Sequence, residues 1–181
     1  ILTGLGMDLT LPHLKETPRR AAHAWYYELC RGAAIPPPEI TTFDSDVDEM
    51  IMLRHIPIRS VCAHHLLPFV GEATVAYIPG GGKIIGLSKL SRIADYWARR
   101  PQVQEDLTAK IADYIAKLVT QRARHRQKLK GGVGVIIRAR HMCMELRGVA
   151  HQGEMVTSAL RGAFLHGDAR HEFLQLAGKK E

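Results

Sequence analysis

Two cysteines and three histidines fall in two short runs, Cys62-Ala63-His64-His65 and His141-Met142-Cys143. Thiolates and imidazoles are the side chains that hold zinc and move protons near neutral pH. Cys62 and His65 stand close enough in sequence for one turn to aim both at a single ion, whereas Cys143 must arrive on a separate segment folded against the first. Cys62, His65 and Cys143 then form a set of three protein ligands, one fewer than closes a structural zinc site. An open tetrahedral position holds water that the metal can acidify, so the pattern argues catalysis before scaffolding.

The elements that must bring these runs together can be read from periodicity. Ile51 to Ile58 alternates loosely and contains Pro57, which suggests an edge strand or a bulge, and Phe69 to Pro79 reads as a clearer strand closed by Gly80-Gly81-Gly82. The first Cys-His run therefore lies in the link between two strands. Ser88 is a plausible N-cap for a helix from Lys89 to Arg100, which Pro101 breaks. A second helix from Val103 to about Arg124 carries Leu107, Ile111, Ile115 and Leu118 on one face. Val133 to Met144 alternates as a strand, on which His141 and Cys143 continue the face of Val133, Val135 and Ile137. Met155 to Phe164 is expected to be a fourth strand, and Asp168 to Leu176 a closing helix.

Upstream, Leu11 to Arg31 reads as a helix with Thr17-Pro18 as cap and first helical residue, followed by an extended connector at Ile35-Pro36-Pro37-Pro38. The order strand, strand, helix, helix, strand, strand predicts an α+β layer: an antiparallel four-stranded sheet with two helices on one face. Residues 1–40 form the helical lead-in and connector, and 41–181 the main domain.

A chain of 181 residues with 46% hydrophobic and 24% charged residues has the balance of one globular domain, and no apolar run approaches the roughly 20 residues that cross a bilayer. The opening residues show no basic-then-apolar leader, and a start at Ile1 without Met is read as a trimmed or incomplete N-terminus. Three cysteines, two of them beside histidines, imply a reducing, cytoplasmic setting rather than a disulfide framework; Cys30 has no such neighbour and is expected to pack a helix end. A net charge of +7 suits a polyanionic partner, triphosphates included. The basic run Arg122 to Lys130 lacks interleaved aromatics and reads as a solvated loop, so neither nucleic acid nor membrane is expected as a partner.

Seven segments, in order along the chain, resemble GTP cyclohydrolase I, the zinc enzyme family that makes dihydroneopterin triphosphate from GTP. They are Thr17-Pro18-Arg19-Arg20, Ser60 to Leu66, Gly86 to Ile93, Arg100 to Glu105, His141 to Gly148, Thr157-Ser158 and Arg170-His171-Glu172-Phe173. The resemblance implies the T-fold, a toroidal homo-oligomer, typically a decamer, and sites shared between subunits. It also implies a division of labour. Water on zinc held by Cys62, His65 and Cys143 attacks C8 of guanine, His141 protonates N7, His64 acts on the ribose ring oxygen, and Ser88 assists the later sugar rearrangement. Gln104 and Glu105 hold the base, the carboxylate accepting from the guanine N1–H and 2-amino group, while Lys89, Arg92, Arg147 and Arg20 clamp the triphosphate.

The chain departs from the family pattern at Ala63, where a glutamate is usual, and at His23, where some members carry lysine. The missing carboxylate beside a metal ligand leaves two other readings open: a paralogue whose reaction on GTP or a related purine nucleotide stops early, and a non-catalytic member that binds a nucleotide.

Overall fold

In a computed structural model, residues 1–120 and 131–178 are described; the basic run Arg122 to Lys130 lies outside them. The first regular helix is α1, Thr17–His23, which widens into a π-helical stretch, Ala24–Leu29. The expected start at Leu11 is corrected. Pro18 has no N–H to donate and its ring would strike the carbonyl one turn earlier, so it belongs in a first turn and residues 11–16 are turns instead. Glu16, not Thr17, occupies the cap position, and Thr17 Oγ1 donates to the His13 carbonyl at 3.3 Å.

Strands β1, Thr42–Asp44, β2, Ile51–Cys62, β3, Pro68–Ile78, and β4, Lys83–Ile85, follow the proline-rich connector. Next come helix α2, Leu87–Ala98, the two-residue strand β5, Pro101–Gln102, and helix α3, Gln104–Val119. The chain closes with β6, Gly132–His141, the helical turn α4, Met142–Glu145, β7, Glu154–Gly162, and α5, Gly167–Gly178. The main sheet has the order β5-β2-β3-β6-β7, antiparallel except where β5 runs parallel to β2, and β1 pairs with β4 apart from it. The four expected strands are present, and Pro101 does more than break a helix: it begins the fifth. The irregularity anticipated near Pro57 is a register shift between Leu53 and Ile56, with His55 at φ 55°.

Leu107, Ile111 and Ile115 of α3 and Leu90 and Ile93 of α2 are buried against Ile58, Val75, Val133, Val135 and Ile137 on one sheet face. Leu118 is only half-buried, and Val119 takes the inner position. Phe164 and Phe173, the latter on α5, cover Ala76 and Ile136 on the opposite face. Strand β6 is thus buried on both sides, which explains why Val133 to Ile137 is almost wholly apolar instead of alternating with polar residues. Gly134 leaves the room: a β-carbon there would lie 2.9 Å from the Phe173 ring.

Candidate metal and catalytic centre

Cys62 ends β2 in a closed hairpin link. Its N–H donates to the Leu67 carbonyl at 2.9 Å, its carbonyl accepts from Leu66 N–H at 2.9 Å, and Leu66 takes φ 55° to complete the turn. The Ala63 N–H donates to Gln102 O at 3.1 Å, so β5 braces the link from outside. As a result Cys62 is 4% exposed while residues 63–66 face solvent.

His141 is the last residue of β6, paired in register with Phe69 of β3 and stacked on its ring at 4.6 Å and 8°. The expectation that Cys143 continues the strand face is corrected, because the chain turns into α4 at Met142. Cys143 is delivered by that turn instead. Arg140 at the end of β6 grips Glu145 with two hydrogen bonds, 2.8 and 2.5 Å, bridging the segment that carries Cys143 and holding the Glu145 carboxyl below its usual range.

Cys62 Sγ, Cys143 Sγ and a ring nitrogen of His141 all lie within 4.8 Å of one another. This is a soft, nitrogen-and-sulfur donor set able to hold a metal ion. Burial pushes the Cys143 thiol up, and the facing Cys62 thiol adds to the effect, because two thiolates side by side repel. A divalent cation between them removes that cost, so the residues fit the zinc that the pattern implies. Burial likewise lowers His141, with the Glu105 carboxylate pulling weakly the other way.

The other expected residues divide into two groups. His64 Nδ1 is 3.8 Å from Cys62 Sγ. His65, the expected third ligand, lies outside the three-residue group; Arg147 Nη1 is 3.1 Å from its Nε2, and since guanidinium has no lone pair, that imidazole nitrogen must be the acceptor. Gln104 sits beside His141, its Oε1 2.8 Å from the ring Nε2, but it is completely buried and its polar atoms are already satisfied. Glu105, one residue on, is exposed. Among the described residues, no hydrogen bond joins Ser88, Lys89, Arg92 or Arg20 to this group; Ser88, Arg92 and Arg20 are exposed, and Lys89 Nζ donates to the Glu39 carbonyl at 3.2 Å. Gly86, not Ser88, caps α2. The Phe69 stack and the Thr108–Thr157 hydroxyl pair at 2.7 Å are additions that spacing did not suggest, although Thr157 stands in one of the matching segments.

Among known proteins, GTP cyclohydrolase 1 1 of Pseudomonas aeruginosa is 48% identical, over all of this chain and 94% of its own length. GTP cyclohydrolase 1 2 of Pseudomonas putida is 47% identical across 99% of the chain and 93% of that protein, and GTP cyclohydrolase 1 of Hahella chejuensis 43% across 97% and 90%. The family model described as GTP cyclohydrolase I matches residues 1–178, which takes in both halves of the thiol and imidazole centre and every element around it, so the chain belongs to the GTP cyclohydrolase I family.

Proposed function

We propose that the protein is a GTP cyclohydrolase I: it opens the imidazole ring of GTP by hydrolysis, releases formate and forms 7,8-dihydroneopterin triphosphate. The observation that carries this reading is the convergence of Cys62, His141 and Cys143 from two distant segments in a chain of this family. The Cys62 and Cys143 thiolates, with His65 as third ligand, would hold zinc, which when bound would supply the Lewis acidity that makes water nucleophilic near neutral pH. His141, anchored by Phe69 and Gln104, gives a proton to the purine N7. His64 serves the ribose ring oxygen and Ser88 the later rearrangement. Glu105, exposed at the start of α3, accepts from the guanine N1–H and 2-amino group, a pattern adenine does not offer. Lys89, Arg92, Arg147 and Arg20 hold the triphosphate. The proximity of His141 to both thiols favours a second ligand assignment, in which His141 replaces His65.

The fold we assign is the T-fold, assembled as a toroidal homo-oligomer, a decamer in our reading, with each site shared between subunits. Exposed Val70, Val156, Leu146 and Val149, and the outer edge of β7, which pairs with no further strand among the described residues, support a neighbouring copy there. A cytoplasmic location suits two thiols that must stay reduced.

Zinc-loaded protein incubated with GTP should yield formate and, after oxidation, a fluorescent pterin; the appearance of neither would overturn the assignment. The mass of the product decides a narrower point. Ala63, exposed beside Cys62 where the family usually has glutamate, favours an early-stopping reaction as the rival, and a formamide or ring-opened product as the end point would establish it.

A further inference from the structure

Gln104 opens α3, yet none of its surface reaches solvent. Its Nε2 lies 3.1 Å from the Ile137 carbonyl, 3.0 Å from the Met155 carbonyl and 3.0 Å from Thr157 Oγ1. Carbonyl oxygens only accept, so the amide nitrogen must face β6 and β7; the flipped amide would set oxygen against two oxygens. The Gln104 Oε1 therefore faces His141. The hydroxyls confirm the sense of the network. Thr108 Oγ1 donates to the Gln104 backbone carbonyl at 2.8 Å, which commits its single proton. The 2.7 Å contact between the two threonines must then be donated by Thr157, leaving Thr157 Oγ1 to accept from the amide. The two amide protons are shared among three acceptors, and each hydroxyl proton has one place to go. An oxygen that can only accept, 2.8 Å from His141 Nε2, requires a proton on that nitrogen.

We propose that Gln104 is a positioning residue that fixes the Nε2–H form of His141, with Thr157 and Thr108 locking the amide that does so. Nδ1 is then the nitrogen left open to chemistry: it takes up a proton from solvent and passes that proton to the purine N7, so Gln104 acts on the reaction through His141, not through contact with guanine. This rests on the cyclohydrolase reading for its kinetic consequence, but not for the tautomer itself.

The kinetic test compares Gln104→Met, which keeps bulk and loses the acceptor, with Thr157→Val and Thr157→Ser, all on the zinc-loaded protein with GTP. Partners that orient a reacting imidazole typically matter by roughly 10–100-fold, so Gln104→Met should lower kcat by about that factor with KM for GTP unchanged. Thr157→Val should lower kcat in the same sense, and Thr157→Ser, which keeps the hydroxyl, should recover the loss. A raised KM with kcat preserved would show direct contact with the base and overturn the proposal, as would no change in either constant. If Gln104→Met does not fold, the threonine pair decides: equal kcat for the valine and serine variants overturns it. The tautomer is read separately from imidazole nitrogen shifts in histidine-labelled wild-type protein, using the resonance that disappears in His141→Gln. An Nε2–H signature is expected and an Nδ1–H signature overturns the inference. An Nε2–H signature in protein that makes no formate from GTP leaves the inference standing and removes the functional reading.

Discussion

Burial and the facing Cys62 thiol push the Cys143 thiol up, and a cation between the two would offset that cost, so the pair could hold a metal ion. The third ligand is a question for two histidines. Among the described residues, the Nε2 of His65 is engaged by exposed Arg147, while His141 is held on one side by Phe69 and at Nε2 by buried Gln104. In our assignment His65→Ala should lose zinc by metal analysis, with affinity reduced by at least about 10–100-fold, whereas His141→Ala should retain it and lose turnover. The opposite zinc contents would transfer the ligand role to His141.

At the scale of elements, the centre depends on the register of β3 against β6, because Phe69 and His141 face each other only while that ladder holds. Gly71 is the tight point. A β-carbon there would lie 1.9 Å from the Arg138 carbonyl, so the strands would have to part next to the site. Gly71→Ala should therefore cost about 3 kcal/mol in denaturant unfolding and lower turnover together with stability. An unchanged midpoint would mean that the sheet yields there freely. The α3 helix was legible in the sequence because Leu107, Ile111 and Ile115 recur on one face, and burial follows that face. The place of Cys143 was not, because the two-residue repeat of β6 stops at His141 and a local turn, clasped by Arg140 and Glu145, takes over.

At the scale of the molecule, the N-terminal segment is tied to α2 by charge and by hydrogen bonds. Arg100 packs over Tyr96 and Trp97 at 4.8 and 4.4 Å and donates to the Gly32 carbonyl at 2.6 Å, while Asp95 accepts from both Arg31 and Arg99. Burial pushes the Asp95 carboxyl up, but the two arginines outweigh it and hold the group below its usual range. Its folded value is then below its unfolded one, so its contribution is present above about pH 4 and fades as pH falls through the folded value. Asp95→Asn should lower Tm at pH 7, and the gap from wild type should narrow below about pH 4; a gap that stays constant with pH would exclude this linkage. Of the phosphate-binding side chains we assign, Arg147 reaches His65 Nε2, whereas Lys89, Arg92 and Arg20 make no hydrogen bond to the metal group among the described residues, which suits sites shared between copies. Co-refolding inactive His141→Ala with inactive Arg92→Ala should then regain activity in mixed oligomers, and no recovery would place each complete site in one subunit.

Residue chemistry and local period determined a good deal: the two thiols, the flanking imidazoles, the helix faces, the four long strands and the family. They could do so because zinc affinity follows side-chain type, and because a buried face must repeat every two or 3.6 residues wherever it occurs. Tertiary structure decided what depends on groups far apart in the chain. It showed Gln104, at a helix start, as a buried bridge to β6 and β7, since the acceptors that enclose it belong to those strands. It also brought His141 rather than His65 to the thiols, because the β3–β6 ladder and the Phe69 stack set its ring, whereas residues 63–66 turn outward from the hairpin. Hydrogen-bond partners contributed by other strands leave no period in a helix, so only the folded chain reveals them.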